Sequence, residues 1–547
     1  MKNKHATNQW WKTAIFYQIY PRSFCDSNND GIGDIPGIIS KLDYLKDLGI
    51  NALWLSPVYK TPNADFGYDV ADYRSINPEY GTMADMDKLI AEVKKRDMKI
   101  IMDLVANHTS DEHEWFQKSR DPRSPYHDYY IWKEGKKDWR GKETPPNNWA
   151  SFFSGSAWTK DEVNGKYYLH LFAKKQPDLN YRNQKVVEEM KDIMRFWLDK
   201  GVAGFRCDVI NLIYKKSFAD GKGSPFYIQG SEHYLSTVGG HRILKEIHRE
   251  VLAPYGAFTV GETAGVDLRS AKRFIKDQLS TVFSFDHVGV DHWKAPTFRI
   301  KYQPEKLKAA LLKWQRSGIW NTLFFENHDQ PRSVSRFGDS KEYHAESGKM
   351  LATILLTLPG TPFIYEGQEI GMTDPPAHPA QDWKDIAAIN TKRLLRSYGV
   401  PRGLAYRWAS NVNRDNARTP MQWSSQKNGG FSTVRPWLSV NPNTSFINVE
   451  ASQDDPNSIL AFYKQLIMFR KNTPAFLHGS MKVMHAGKNI FSYTRHYEKT
   501  SYLVVINMDN EQRRSKVKLD GELLISNYTT DHSTQYLRPF EIRILKR

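Results

Sequence analysis

Short runs of apolar, β-branched and aromatic residues recur along the chain, each followed by a stretch whose apolar residues fall at helical spacing. IFYQIYP at 15, ALWLSP at 52, KIIMDLV at 99, GFRCDVI at 204, FTVGET at 258, FSFD at 283, NTLFFENHD at 321 and PFIYEGQEIG at 362 read as strands. Stretches such as GIISKLDYLKDLG and MADMDKLIAEVKKRDM read as the helices between them. Strand-helix alternation favours a parallel sheet, and eight repeats favour a closed (β/α)8 TIM barrel over a doubly wound sheet.

Two intervals are too long for a single helix. Residues 109–180, rich in Trp, Pro, Gly, Asn and Tyr, read as a loop-rich insertion domain after the third strand. An irregular segment at about 372–435 follows the eighth. From 477 the helical signal stops and alternating runs such as NIFSYTRHY, SYLVVINM and FEIRILKR take over. The expected organisation is a barrel in two parts, 1–108 and 181–476, the insertion 109–180, and a C-terminal antiparallel β-sandwich, 477–547.

Composition narrows the class. With 40% hydrophobic and 13% aromatic residues the chain is globular, and flat rings suit the faces of sugars or other planar-sided ligands. The formal charge of +16 raises the question of nucleic acid, but no long Lys/Arg block or zinc-finger array accompanies it, so none is expected as a partner. Cys25 and Cys207 stand far apart outside any C-x-x-C pattern, compatible with a reducing compartment. Met1 to Ala14 holds no apolar core of signal-peptide length, and the most apolar run, 351–367, is interrupted by threonines and prolines before it could span a bilayer. A cytoplasmic monomer without membrane attachment is expected.

Active sites of such barrels form at the C-terminal ends of the strands, where Asp103, Asp208, Glu262, Asp286, Asp329 and Glu369 fall. One acid at a strand end is usually a helix cap or a satisfied acceptor; the grouping is what points to chemistry. Strand alternation sends Arg206 and Asp208 to one face and Cys207 to the other. Glu262 ends an apolar strand and would enter low-dielectric surroundings. Asn107–His108 and Asn327–His328 add two histidines suited to sugar hydroxyls. Two carboxyls about 5 to 5.5 Å apart support retaining glycoside hydrolysis, and Asp208 and Glu262 suit that pair.

The ordered motifs DLVANH, QPDLN, GFRCDVINL, VGET and FENHDQ resemble those of the α-amylase superfamily across essentially the whole chain. NARTPMQW at 416–423, QPDLN and a valine after Asp208 resemble the oligo-1,6-glucosidase and dextran-glucosidase subgroup. The resemblance implies Asp208 as nucleophile, Glu262 as general acid/base and Asp329 as transition-state stabiliser. It implies that Asp69, His108, Gln176, Arg206, His328 and Arg418 hold a non-reducing glucosyl unit, and that Val209 marks α-1,6 over α-1,4 bonds. Thr263 departs from the methionine usual there.

DSNNDGIGD at 26–34 spaces oxygen ligands like the start of an EF-hand loop, without its distal Glu. By the same resemblance Asp26, Asn28, Asp30, the Ile32 carbonyl and Asp34 bind a structural calcium, with no organic cofactor. The function implied is retaining, exo-acting hydrolysis of terminal α-1,6-glucosidic bonds in small isomalto-oligosaccharides. Alternatives are trehalose-6-phosphate hydrolysis, and sucrose isomerisation or transglucosylation. GVDHWKAPTFRIK, 289–301, stands before Asn327 where the isomerases carry RLDRD. Noncatalytic transporter-associated members lack the acids and carry a membrane helix.

Overall fold

A computed structural model describes residues 9–223, 229–293, 295–377, 379–529 and 535–547. The barrel strands are β1 (Phe16–Ile19), β2 (Ala52–Leu55), β3 (Lys99–Val105), β4 (Gly204–Asp208), β5 (Phe258–Glu262), β6 (Thr281–Phe283), β7 (Thr322–Leu323) and β8 (Thr361–Tyr365). They pair in parallel in the order β6-β5-β4-β3-β2-β1-β8-β7. Side chains bridge the remaining seam: Thr322 Oγ1 donates to the Val282 carbonyl and Thr281 Oγ1 to that of Trp320, each at 3.0 Å. β6 ends at Phe283, where FSFD was expected to begin, because the β-branched Thr281 and Val282 take the ladder positions beside Val260 and Gly261.

Alternation fills the barrel. Phe16, Ala52, Ile101, Phe258, Val260, Phe283, Phe324 and Phe363 form one inner cluster, with Phe16 stacked on Phe363 at 4.5 Å. Outward residues such as Tyr17, Leu53 and Ile100 join the larger core under the helices. Apolar rings thus plug the interior, and the next inward positions along β1, β3, β4 and β5 are polar: Gln18, Asp103, Arg206 with Asp208, and Glu262. The active end follows from where the inward positions change character.

The principal surrounding helices are α1 (Leu42–Leu48), α2 (Met83–Lys95), α3 (Gln184–Asp199), α4 (Val238–Ile247), α5 (Leu268–Phe274), α6 (Pro304–Gln315), α7 (His344–Thr357) and α8 (Ile459–Asn472). Side chains cap several of them: Thr82 and Asp85 form a capping box on α2, and Asn183, Thr237, Asp267 and Ser458 cap α3, α4, α5 and α8. The apolar run near 351 is α7, buried on every side from Ser347 to Thr357. Its threonines return their hydroxyls to the helix, Thr353 to the Lys349 carbonyl at 2.9 Å and Thr357 to that of Thr353 at 2.6 Å. Among the described residues no helix is long and apolar enough to cross a membrane.

The insertion contains a three-stranded antiparallel sheet, Trp132–Lys133, Tyr167–Leu169 and Trp158–Lys160, and an aromatic cluster that it shares with Val209, Leu212 and Tyr234 beyond β4. The segment 372–435 is less irregular than expected. It contains helices Ile386–Ser397 and Arg402–Ser410, the first capped by Asp385 and both packed through small or apolar residues: Ala388, Leu395, Ala405 and Ala409.

In 477–547 five antiparallel strands, β9 (Ser480–Met484), β10 (Ile490–Tyr497), β11 (Thr500–Asn507), β12 (Glu522–Ser526) and β13 (Ile542–Lys546), are ordered β9-β10-β11-β13-β12. Phe491, Tyr493, Val504, Ile506, Ile542 and Ile544 join the barrel's core; the opposite face packs with Val517 and Leu537 near a two-stranded ribbon. Buried Arg495 joins this sheet to the barrel, donating to the carbonyls of Thr357, at the end of α7, and of Phe476 and Gly479, at 2.6, 3.2 and 3.1 Å. Arg495→Met would leave three carbonyls without that donor. We expect a loss of about 2 to 4 kcal/mol in denaturant unfolding, with the catalytic parameters of the surviving folded fraction unchanged.

Candidate active site

Three neighbouring strands deliver three carboxyls to one cation. Gly204 opens β4 at φ 151°, where a Cβ would sit 1.9 Å from the Phe258 carbonyl oxygen; only glycine allows β4 and β5 this approach. Arg206, fully enclosed, donates Nη1 to Asp103 Oδ1 at 2.6 Å and to Asp208 Oδ1 at 2.7 Å, and Nη2 to Glu262 Oε2. Trp54 Nε1 and Tyr68 Oη donate to the other Asp103 oxygen at 3.0 and 3.1 Å.

Burial pushes Asp103 up to about 6 and drives Asp208 well above the ordinary carboxylate range; Arg206 pulls both down, and neighbouring carboxylates raise them. Burial and mutual repulsion thus favour the neutral forms of Asp103 and Asp208, and the shared guanidinium opposes them. Glu262 does not sit in the apolar surroundings expected of its strand, because Arg206 reaches it and its side chain is 17% exposed at the mouth. Cys207 faces the outer core, where burial pushes its thiol up to about 12.

β4 is stopped by strain. Val209 adopts φ 34°, ψ 38°, a left-handed conformation that β-branched residues avoid, and a 3-10 turn, Ile210–Leu212, follows. The kink brings Val209 into the wall of the pocket, with its amide 3.4 Å from Glu262 Oε2.

Asp329 arrives from the loop after β7. Arg418 Nη2 donates to its Oδ1 at 2.8 Å and Arg414 Nη1 lies at 3.5 Å. Burial alone would raise this carboxyl; His328 and the two guanidiniums outweigh it and hold Asp329 well below the usual range. His328 Nδ1 accepts from Gln18 Nε2 at 2.8 Å, so its proton sits on Nε2, 2.7 Å from Tyr68 Oη. Burial lowers His328 to about 3, so the ring is neutral.

Asp208, Glu262 and Asp329 line one cavity of about 330 Å³ together with His108, Gln176 and Val209. Arg206, His328 and Arg418 lie behind that wall and hold its acids. The structure corrects the expectation for Asp69. It is fully buried, accepts the amides of Ala64 and Asp65 at 2.7 and 2.9 Å, and does not line the cavity. The neighbouring Asp65 does, paired with Arg414 at 2.7 Å; Arg414 also reaches Asp385 at 2.6 Å.

Asp65 and Arg414 are not legible from periodicity, because Asp65 lies in a loop and Arg414 opens a single 3-10 turn, Arg414–Asn416, too short to assign a face. Asp286 and Glu369 also leave the mouth. Asp286 takes Trp314 Nε1 at 2.9 Å and Lys313 at 2.6 Å, whereas Glu369 accepts the hydroxyls of Tyr17 and Tyr44 at 2.8 Å.

The loop 26–34 folds around its own acids. Asp26 accepts the amides of Asn28, Asn29 and Gly31, Asn28 Oδ1 that of Asp30, and Asp30 Oδ1 that of Ile32. Asp34 caps the helix Ile35–Ser40 through Gly37 at 2.6 Å. The candidate donors, including the Ile32 carbonyl, are all oxygens within one turn, the chemistry of a hard cation.

A parallel barrel whose fourth and fifth strands present two carboxyls in one cavity, with a third acid after the seventh, defines a barrel glycoside hydrolase. The chain belongs to the α-amylase family: residues 18–479 match the alpha amylase catalytic domain. It is similar to the oligo-1,6-glucosidase of Halalkalibacterium halodurans, 48% identical over 98% of this chain and 99% of that one. Among solved structures it resembles the trehalulose synthase of Pseudomonas mesoacidophila MX-45, with TM-score 0.92 and 41% identity over 98% of this chain and 99% of that one. It also resembles the trehalose-6-phosphate hydrolase of Bacillus licheniformis, with TM-score 0.90 and 38% identity over 98% and 100%.

The geometry makes Asp69 a support for the turn that carries Asp65, and this has a pH signature. Burial raises the Asp69 carboxyl to about 6, with the two amides opposing. A raised acid costs nothing when protonated in both states; its penalty grows as pH climbs from the unfolded value to the folded one. We therefore expect the stability of Asp69→Asn relative to the parent to improve by up to about 3 kcal/mol between pH 4 and 6.5, followed by denaturant unfolding. A pH-independent difference would contradict this role.

Proposed function

We propose that the chain is a retaining exo-acting α-glucosidase that hydrolyses terminal α-1,6 bonds of isomaltose and isomalto-oligosaccharides. The observation carrying this reading is the convergence of Asp208 and Glu262 on Arg206 within one sugar-sized cavity. Asp208 attacks the anomeric carbon and forms a glucosyl ester; the glycosidic bond breaks as Glu262 gives its proton to the leaving oxygen. Glu262 then takes a proton from water, which displaces Asp208 with a second inversion. Asp329, kept ionised by its guanidiniums, faces the positive charge of the oxocarbenium-like transition state. The Asp65–Arg414 pair, His108 and Gln176 supply hydrogen-bonding partners for the hydroxyls of one glucosyl unit. The identity with the oligo-1,6-glucosidase, and Val209 beside the nucleophile, support the α-1,6 preference.

A second reading, hydrolysis of a phosphorylated disaccharide such as trehalose 6-phosphate, is favoured by Arg299. It lines the same cavity beside His292, and its buried Nε has no hydrogen-bond partner among the described residues. Offering isomaltose and trehalose 6-phosphate in parallel, with NMR of the first product, separates the two. We expect α-glucose from isomaltose and a loss of at least about 10³-fold in kcat/KM for Asp208→Asn. Release from the phosphate ester alone would transfer the assignment, and β-glucose as first product would refute retention.

We also assign the loop 26–34 as a structural calcium site held by Asp26, Asn28, Asp30, Asp34 and the Ile32 carbonyl. Bound there, the ion would tie the turn after β1 together and take no part in bond cleavage. Chelation should lower the melting temperature by several degrees, with added calcium restoring it; a melt indifferent to both would remove the assignment.

A further inference from the structure

Lys215, in the loop beyond β4, carries a buried ammonium. Its Nζ lies 2.5 Å from Asp178 Oδ2, contributed by the end of the insertion, and 2.8 Å from Asn107 Oδ1, just past β3. Asp178 Oδ1 accepts the Leu171 amide at 2.9 Å, and Asn107 Nδ2 lies 3.1 Å from Asp178 Oδ2 and 3.3 Å from His108 Nδ1. Three chain segments therefore meet at one cation behind the pocket wall.

The partners of this cluster orient its side-chain amides. An ammonium only donates, so the Asn107 oxygen must face Lys215 and its NH2 must face Asp178 and His108. His108 Nδ1 is then an acceptor, and the ring proton sits on Nε2, 3.1 Å from the Tyr68 carbonyl. Gln176 is fixed in the same sense: its Oε1 accepts the Ala173 amide at 2.9 Å, turning its NH2 toward Asp65 and the Tyr68 carbonyl. Both polar side chains on this wall offer N–H groups. Reversal of either would present an acceptor instead.

We propose that Lys215 is a positioning residue for the glucosyl pocket: through Asn107 it sets the His108 tautomer, and by neutralising Asp178 it keeps that ring uncharged. The assignment rests on the cavity binding an α-glucosyl unit. The charged groups bearing on His108 are Asp178 and Lys215, with Asp65 beyond Gln176; Tyr68, Gln176 and Phe172 complete its surroundings without charge. Burial lowers His108 to about 4, Asp178 opposing and Lys215 adding to the effect. Removing the lysine leaves an uncompensated carboxylate near the ring, which raises its proton affinity, and frees Asn107 to flip.

The test uses the full chain and its Lys215→Met, Lys215→Arg and Lys215→Met/Asp178→Asn variants, with kinetics on p-nitrophenyl α-glucoside and isomaltose and the His108 ring titration followed by NMR. For Lys215→Met we expect KM to rise about tenfold at pH 7 with kcat changed much less, and the His108 ring titration to move up by about one unit. Lys215→Arg should restore both. In the double variant, which buries no lone charge, the His108 titration should return to its wild-type position while KM stays raised; this variant decides the matter if Lys215→Met does not fold. A His108 titration unmoved in folded Lys215→Met, or a wild-type KM in the double variant, would overturn the assignment alone. A wild-type chain inert on both glucosides would overturn the glucosidase reading and this assignment with it.

Discussion

The contact of one guanidinium with three carboxyls organises the barrel mouth. Arg206 has no room to move and no solvent to share its charge, so Asp103, Asp208 and Glu262 are held together from three consecutive strands. Removing the cation would leave two nearly or fully enclosed acids and a third at the rim without compensation, a far larger penalty than losing one surface ion pair. The same contact brings the two acids that must act on one bond into a single cavity. Fold stability and catalytic geometry are therefore one constraint here, which Gly204 makes possible by letting β4 lie close against β5.

Where strand alternation governs, the site was readable in the residues. Arg206 and Asp208 share a face, Cys207 takes the other, and Glu262 follows Phe258 and Val260 inward, all from period-two arithmetic on β4 and β5. That rule stops at the strand ends. Asp65 and Asp69 stand in one turn with the same side-chain chemistry, and only the path of the chain decides which reaches the cavity; Asp69 holds amides while Asp65 meets Arg414. Arg418 was legible through its motif, yet its function is to fix Asp329 from behind. Arg414, in the same loop, is the one that lines the pocket.

Errors in the architecture have similar causes. Helix Ile386–Ser397 lay hidden in a stretch whose Pro-rich beginning suggested loop throughout, although Asp385 supplies an ordinary cap. The sixth strand was displaced by the aromatic pull of FSFD, whereas Thr281 and Val282 have the branched side chains that suit the ladder. Asp286 and Glu369 sit at or beyond strand ends and satisfy aromatic N–H and O–H donors elsewhere.

The electrostatics of the cavity suit the reaction's charge better than its ground state. Among the described residues Asp65, Asp103, Asp208, Glu262, Asp329 and Asp385 pair with the three guanidiniums of Arg206, Arg414 and Arg418, and Arg299 adds one more at the cavity wall, so acids outnumber cations there. The whole chain is strongly positive, at +16. A neutral sugar gains little from such a local field, but an anomeric centre becoming cationic gains much, because the acids are already oriented and need no reorganisation. Preorganisation requires that these carboxylates not relax toward each other or toward water. Arg414, anchored to both Asp65 and Asp385, and Arg418, locked against the His328 carbonyl, prevent that collapse. The arginines thus stabilise the folded cluster without cancelling the field that favours the cationic transition state.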